Sequence, residues 1–229
     1  ERGLPVGGEL DLFVQALDGS PARDLLAGTA LVGAPGFGGR MSDSGEDIEA
    51  AWAPDGRSVV FAATTNRHRA AFDWTHSDLY QVSLVGGEPR RLTGDGSSKG
   101  QDNWARPEFS PDGATLHAQR TPSNGRIYNA TRLAAFAWPS LAAGTTLTAA
   151  DARSISVHAF AGDSRTIYYT TEDAGLEQVH RARAGSTGGT LLSSNTRGVY
   201  TALTGARQGR GMLVAIYESA SEPQELVRI

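Results

Sequence analysis

Cysteine is absent from this chain of 229 residues, and so are long apolar runs and blocks of like charge. Without cysteine the chain can form no disulfide, thiolate nucleophile or cysteine-ligated zinc site. No apolar stretch approaches the ~18 residues that a membrane span requires, and the opening segment lacks a charged-then-apolar signal pattern. We therefore predict no membrane partner. The compartment stays open, because the bacterial cytoplasm and the periplasm both suit a protein without cysteine.

The charges are balanced, with 21 Lys and Arg against 25 Asp and Glu and a formal net charge of −4. Nucleic-acid binding usually requires a basic stripe or patch, because phosphate contacts dominate the affinity. We therefore predict no nucleic-acid partner. No pair of the five histidines has metal-ligand spacing on one element, so we also predict no metal site and no cofactor.

A sustained helical period of apolar residues is also missing, whereas glycine and proline are plentiful, with 28 and 10 copies. Such a composition indicates many turns, and many turns suit many short strands. The sequence therefore favours an all-β fold.

One turn motif recurs along the chain. WAPDG at residues 52–56 returns as FSPDG at 109–113 and, more loosely, as FAGDS at 160–164. In each copy an aromatic residue lies three positions before the Asp, and a β-prone run begins four positions after it. Pro pre-sets φ at the second position of a turn and Gly ends the turn without strain. We predict that the aromatic residue, such as Trp52, is buried. The residues predicted to form turns rather than to catalyse are Pro54, Asp55, Gly56, Pro111, Asp112 and Gly113.

A second unit lies between these turns. DLYQVSL at residues 78–84 leads through two glycines to RLT at 91–93, and DLFVQAL at 11–17 leads through another Gly turn to DLL at 24–26. Both read as strand, turn and strand. Together the two units give four antiparallel strands per period of about 50 residues, which is the signature of β-propeller blades.

We therefore predict an all-β propeller segment with about four to five blades of four antiparallel strands. Because both partial blades would offer a third strand, we expect the segment to belong to a larger propeller. Unpaired strand edges invite association, so we expect the isolated segment to form homo-oligomers through exposed blade edges. The predicted divisions are a partial blade at 1–46, blades at 47–103, 104–155 and 156–198, and a partial blade at 199–229.

These stretches resemble the propeller of the prolyl oligopeptidase family of serine peptidases, closest to its bacterial acylaminoacyl-peptidase and dipeptidyl-peptidase branch. The similar segments are residues 12–28, 71–93, 103–113 and YESASEPQELVRI at 217–229, which is similar to the family's last propeller strand. TolB-like propellers share the Pro-Asp-Gly turn. One departure from the pattern is Leu26, where threonine is usual.

The resemblance implies a function. The family's propeller covers the active site of an α/β-hydrolase domain and admits only short or unfolded peptides. We therefore expect a non-catalytic gating role towards a peptide substrate, with Ser-His-Asp chemistry in a hydrolase domain absent from these 229 residues. Whether the chain counts as an enzyme stays open. The alternative is a TolB-like scaffold that binds a protein partner and catalyses nothing.

The catalytic motif G-x-S-x-G occurs once, at residues 96–100. Such an elbow needs a strand before it and a helix after it, and Pro107 with the next strand leaves no room for that helix. We interpret the match as a loop between blades and predict no catalytic residue. The long loop at 64–77 is a better site, because long loops carry function more often than strands. In related enzymes such loops line the substrate cavity. Our substrate-gating candidates are Arg67, Arg69, Asp73 and Trp74.

Overall fold

The computed structural model contains β-strands joined by turns and loops, with no α-helix among the residues that it describes. This confirms the all-β prediction. The chain divides into two compact units, residues 1–107 and 108–229. The described residues are 10–42, 45–94, 102–126, 128–151, 153–206 and 212–229.

Three sheets lie wholly within the first unit among the described residues. The strand pair β1–β2 and the hairpin β3–β4 accompany an antiparallel four-stranded sheet, in which β5 to β8 follow one another in chain order. The strands are β1 (Phe13–Val14), β2 (Arg23–Asp24), β3 (Arg40–Ser42), β4 (Gly45–Asp47), β5 (Ala50–Trp52), β6 (Ser58–Thr64), β7 (Ser77–Ser83) and β8 (Arg90–Arg91).

The core of the first unit lies on β6, which is buried at all seven of its positions. Phe61 on β6 stacks against Tyr80 on β7 with ring centroids 5.7 Å apart. Leu25 and Leu26, just beyond β2, join the same apolar cluster. Because both faces of β6 are covered, its sequence SVVFAAT is almost continuously apolar rather than alternating.

Three more antiparallel sheets follow, and β9 crosses the division between the two units. Their strand orders are β9-β10-β11, β12-β13-β14-β15 and β16-β17-β18. The strands are β9 (Asn103–Phe109), β10 (Thr115–Thr121), β11 (Arg132–Ala137), β12 (Ile155–Phe160), β13 (Thr166–Asp173), β14 (Leu176–Arg183), β15 (Thr190–Leu191), β16 (Val199–Gly205), β17 (Leu213–Ser219) and β18 (Glu222–Arg228).

The repeated turn motif has the same geometry in its two stricter copies. The N–H of Gly56 donates to the carbonyl three residues earlier at 3.0 Å, and the N–H of Gly113 does so at 2.8 Å. Both glycines have positive φ, +63° and +71°, which is the conformation that glycine adopts most easily. The Asp55 carboxylate accepts the N–H two residues later at 2.8 Å, and Asp112 does so at 3.1 Å. Pro54 and Pro111 precede these aspartates.

The looser third copy keeps this geometry without glycine. Ser164 has φ +56° and donates its N–H to the carbonyl of Ala161 at 3.2 Å. The carboxylate of Asp163 accepts two backbone N–H groups, at 2.9 Å and 2.7 Å. These bonds offset part of the strain of a left-handed residue that carries a Cβ atom.

The prediction that the aromatic residue before each turn is buried is wrong for the first copy. Phe160 is 4% exposed and stacks against the His117 ring, whereas Trp52 is 58% exposed. Along β5, Ala50 and Trp52 are exposed and Ala51 between them is half-buried. Trp52 therefore lies on the open side of its strand, because side chains alternate across a sheet.

Three of the sheets each have a buried hydroxyl group at the outer edge of the third strand, which we call the closing hydroxyl. In each, one backbone N–H of the third strand donates to a buried hydroxyl that follows the fourth-strand region. These closing hydroxyls belong to Thr93, Thr148 and Ser193, and they accept from Leu79 at 2.9 Å, Leu133 at 3.0 Å and Val179 at 3.0 Å. The leucine before each hydroxyl residue donates its N–H to the carbonyl of the same third-strand residue, at 2.7 Å for Leu92, 2.8 Å for Leu147 and 2.8 Å for Leu192.

The pair β1–β2 follows this rule only in part. Leu25 donates its N–H to the carbonyl of Leu12 at 2.8 Å, as the leucines before the closing hydroxyls do. Leu26 stands where the hydroxyl would be, and its side chain is fully buried in the apolar cluster of the first unit. The departure at Leu26 thus replaces a hydrogen bond by apolar burial.

Candidate functional site

The loop at residues 65–76 joins β6 to β7 and contains all four gating candidates. Since β5, β6 and β7 run antiparallel, the loop lies at the end of the sheet opposite the Pro54-Asp55-Gly56 turn. It begins with a 3-10 turn at Arg67–Arg69. The structure therefore places Arg67, Arg69, Asp73 and Trp74 together on one loop.

Asn66 holds the two ends of this loop together. Its side-chain carbonyl accepts from the Thr64 hydroxyl at 3.0 Å and from the N–H of His76 at 3.1 Å. Its amide group donates to the carbonyl of Trp74 at 2.9 Å and to Nδ1 of His76 at 3.1 Å. Nδ1 of His76 is thus the acceptor of this bond. Asn66 and His76 are buried, so the loop is anchored by a closed hydrogen-bond network.

Arg67 attaches the loop to the β3–β4 hairpin. Its guanidinium pairs with the Glu46 carboxylate on β4, which raises the pKa of Arg67. The same carboxylate accepts the N–H of Gly39 at 2.7 Å, and the N–H of Arg67 donates to the carbonyl of Gly36 at 3.2 Å. Arg67 therefore positions the loop and has little free charge to offer a ligand.

The tip of the loop presents aromatic side chains. Arg69 and Asp73 form an ion pair at 3.6 Å, and Asp73 accepts the N–H of Trp74 at 2.9 Å. The charges of Arg69 and Asp73 offset each other, whereas Phe72 is 91% exposed and Trp74 63% exposed. Sequence reasoning missed Phe72, although aromatic residues on both sides of Asp73 in a long loop are a readable signal.

A second group of charges surrounds Glu49, which directly precedes β5 and therefore lies at the same end of the sheet. Glu49 pairs with Arg40 at 2.9 Å and accepts the N–H of Arg106 at 2.7 Å. Burial lowers the pKa of Arg106, although Glu49 opposes that shift. Arg106 also has a positive φ of +49°, which is uncommon outside glycine. Arg40 and Arg106 thus share the single carboxylate of Glu49.

Such an arrangement can bind but offers little chemistry. An anchored loop with two exposed rings suits contacts with apolar side chains or with the peptide planes of an extended peptide.

The G-x-S-x-G match at 96–100 lies outside the described residues. Within the described ranges, no group of three or more His, Asp or Glu residues is placed to hold a metal ion. Those ranges also contain no helix with the length and apolarity to cross a membrane.

No protein-family model matches this sequence, and no curated protein matches it. Solved structures do resemble the fold. TolB from Acinetobacter baumannii has a TM-score of 0.60 at 16% identity, over 95% of this chain and 45% of that one. A puromycin-hydrolyzing peptidase from Mycobacterium tuberculosis gives 0.57 at 13% identity, over 97% and 44%.

The β-propeller domain of the Trilobed protease from Pyrococcus furiosus gives a TM-score of 0.55 at 13% identity, over 80% of this chain and 53% of that one. The chain thus spans about half the length of these solved structures. At such low identity the likeness shows the fold alone. It confirms the predicted fold class: this chain has the β-propeller fold of antiparallel four-stranded sheets that TolB and peptidase propeller domains share.

Proposed function

We propose that this chain is the propeller part of a serine peptidase of the prolyl oligopeptidase type. In this role it admits short peptides to a hydrolase domain outside the 229 residues. That domain would supply the serine nucleophile, the histidine base and the aspartate that orients the histidine. Propellers enclose a central channel, and a narrow channel excludes folded proteins by size.

The observation that carries this proposal is the anchored loop at residues 65–76. Phe72 and Trp74 are exposed, and Asn66 holds the backbone at Trp74, so this part of the loop needs little reordering when a peptide binds. Exposed aromatic rings supply large contact areas for peptide side chains. The predicted gating residues Arg67, Arg69 and Asp73 then act as positioning residues, because their charges already pair within the first unit.

The test uses the complete natural polypeptide, an aminoacyl chromogenic substrate and a serine-directed phosphonate. We expect turnover that the phosphonate abolishes. Turnover that resists the phosphonate, or no turnover on any aminoacyl or acylaminoacyl substrate, contradicts the proposal.

A second arm tests the loop. Trp74→Ala should raise KM for a peptide of several residues about fivefold with kcat unchanged, because the ring contributes binding rather than chemistry. The matched control is Phe13→Ala, which removes a ring that is similarly exposed, at 61%, but lies on β1. Equal effects of the two variants on KM would show that the loop does not bind the peptide.

The second candidate function is a TolB-like scaffold that binds a protein partner. The TM-score of 0.60 with TolB from Acinetobacter baumannii favours it. The same experiment separates the two functions: a scaffold gives no turnover, and it forms a complex with one protein in fixed ratio.

A further inference from the structure

Two arginines share one carboxylate at the end of the β5–β8 sheet that carries the loop at residues 65–76. Oε1 of Glu49 accepts from the Arg40 guanidinium at 2.9 Å and lies 3.6 Å from Nε of Arg106. Oε2 of Glu49 accepts the backbone N–H of Arg106 at 2.7 Å. Because both guanidinium groups approach the same oxygen, they lie side by side. After burial, the charge of Arg40 is the next cause that lowers the pKa of Arg106, as expected for adjacent cations.

The guanidinium of Arg106 has hydrogen-bond donors that the chain does not use. Its Nε is buried and makes no hydrogen bond among the described residues, because the 3.6 Å to Glu49 is too long for one. A partly buried cation without hydrogen bonds is unfavourable, and an acceptor from a ligand would offset that cost. The side chains of Arg40 and Arg106 are 44% and 36% exposed, so a ligand can reach both.

The neighbouring acidic residues leave this positive charge in place. Glu46, on the same hairpin as Arg40, is already paired with Arg67. Asp47 faces Arg40 in the register of β3 and β4. It is exposed, and in the described part of the chain the ion pair of Arg40 is with Glu49 instead. Exposed charges that do not touch are screened by water and salt.

The backbone at Arg106 is held in a conformation that a long side chain rarely adopts. Its φ is +49°, in the left-handed region. The hydrogen bond from its N–H to Glu49 fixes this conformation. Strained residues of this kind cluster at ligand clamps and active sites. The strain at Arg106 therefore positions a guanidinium whose donors are not satisfied within the sheet.

The charge of the site selects the ligand. Two guanidinium forks match a planar carboxylate or a phosphate group. Two positive charges around one carboxylate leave a surplus of a single charge, and Glu49 and Asp47 would repel a phosphate dianion more strongly than a carboxylate. The aromatic side chains of Phe72 and Trp74 lie at the same end of the sheet, where they suit a peptide.

We propose that Arg40 and Arg106 form a binding site for a carboxylate group of a short peptide. The choice of a peptide as the bearer of the carboxylate rests on the proposed function, whereas the surplus charge does not. The test measures binding without bond cleavage. It can therefore fail while the peptidase role stands, and it can succeed in a protein that cleaves no peptide.

The test titrates the isotope-labelled 229-residue chain with acetyl-Ala-Phe-Ala-Ala as the free acid and as the C-terminal amide. The Nε–H signals of Arg40 and Arg106 report binding. We expect the free acid to bind about tenfold more tightly than the amide, because it adds charge-assisted hydrogen bonds. Acetate should compete with the free acid, and inorganic phosphate should compete less well. An amidated peptide with glutamate as its third residue shows whether a side-chain carboxylate serves as well as the terminal one, and binding of either supports the proposal.

Variants of the site separate recognition from a structural role. Arg106→Gly removes the guanidinium and suits the positive φ, so it should abolish the preference for the free acid. Should that variant fail to fold, Arg40→Gln changes an exposed side chain and should reduce the preference to about threefold. Glu49→Gln keeps an oxygen acceptor but removes the competing charge, so it should tighten binding of the free acid, whereas loss of a merely structural carboxylate would not. The matched control is Arg57→Gln, an exposed arginine at the opposite end of the sheet, which should change nothing.

Four results overturn the proposal. The first is equal binding of the free acid and the amide, and the second is a preference that survives both arginine substitutions. The third is tighter binding of phosphate than of acetate to the parent chain. The fourth is binding by the 229-residue chain but not by the complete natural polypeptide, because a carboxylate of the polypeptide itself would then fill the site.

Discussion

Replacing Thr93 by valine should destabilise the first unit although the two side chains have nearly the same shape. Thr93 is 8% exposed, and its hydroxyl accepts the N–H of Leu79 at 2.9 Å and donates to Asp78 at 3.0 Å. Thr93→Val leaves the buried Leu79 N–H without a partner and takes one donor from the carboxylate of Asp78. Each buried polar group left unsatisfied costs about 1–3 kcal/mol. We expect a loss of about 2 kcal/mol, because Asp78 keeps Arg91 nearby.

The control is Thr93→Ser, which keeps the hydroxyl and removes one methyl group. Its expected cost is about 0.8 kcal/mol or less, the value of one buried CH₂, and serine already fills this role at Ser193. The assay is urea denaturation of the 229-residue chain, with hydrogen exchange of the Leu79 amide as a local probe. The reasoning is refuted if the valine variant is as stable as the parent chain, or if serine costs as much as valine.

Three further changes test other parts of the structure. Burial lowers the pKa of His117 to about 4 from 6.5, so the unfolded chain binds more protons than the folded chain between these pH values. The free energy of unfolding should therefore fall as the pH falls through that window. His117→Leu should flatten the plot of the urea midpoint against pH. Gly205→Ala should lower the thermal midpoint by the equivalent of about 1–3 kcal/mol, because its Cβ would overlap the carbonyl of Phe160; an unchanged midpoint contradicts that close approach. Glu46→Gln should speed tryptic cleavage after Arg67, because the loop loses its ion pair with the hairpin; an unchanged cleavage rate would show that the pair does not hold the loop.

Local sequence signals predicted the fold because each repeat contains the residues that form its own turn. Proline, aspartate and glycine at residues 54–56 dictate one turn, and Ser164 shows that the geometry survives where glycine is lost. The burial of Trp52 could not be read in the same way. The burial of Trp52 depends on which residues cover the exposed face of β5, and a turn motif carries no information about those residues.

The sequence predicted where the candidate site lies but not how its charged side chains are paired. Loop length pointed to residues 64–77, and the gating candidates do lie together there. The partner of Arg67 was not visible, because Glu46 is distant along the chain and meets Arg67 only through the hairpin. The sequence therefore located charged residues without showing that their charges are already paired. The aromatic tip that remains exposed includes Phe72, which sequence reasoning passed over.

Amide hydrogen exchange of the 229-residue chain tests most directly the claim that in three of the sheets a buried hydroxyl accepts a backbone N–H of the third strand. The account predicts protected amides at Leu79, Leu133 and Val179, whose N–H groups are buried and bonded. Rapid exchange at these three amides would contradict it.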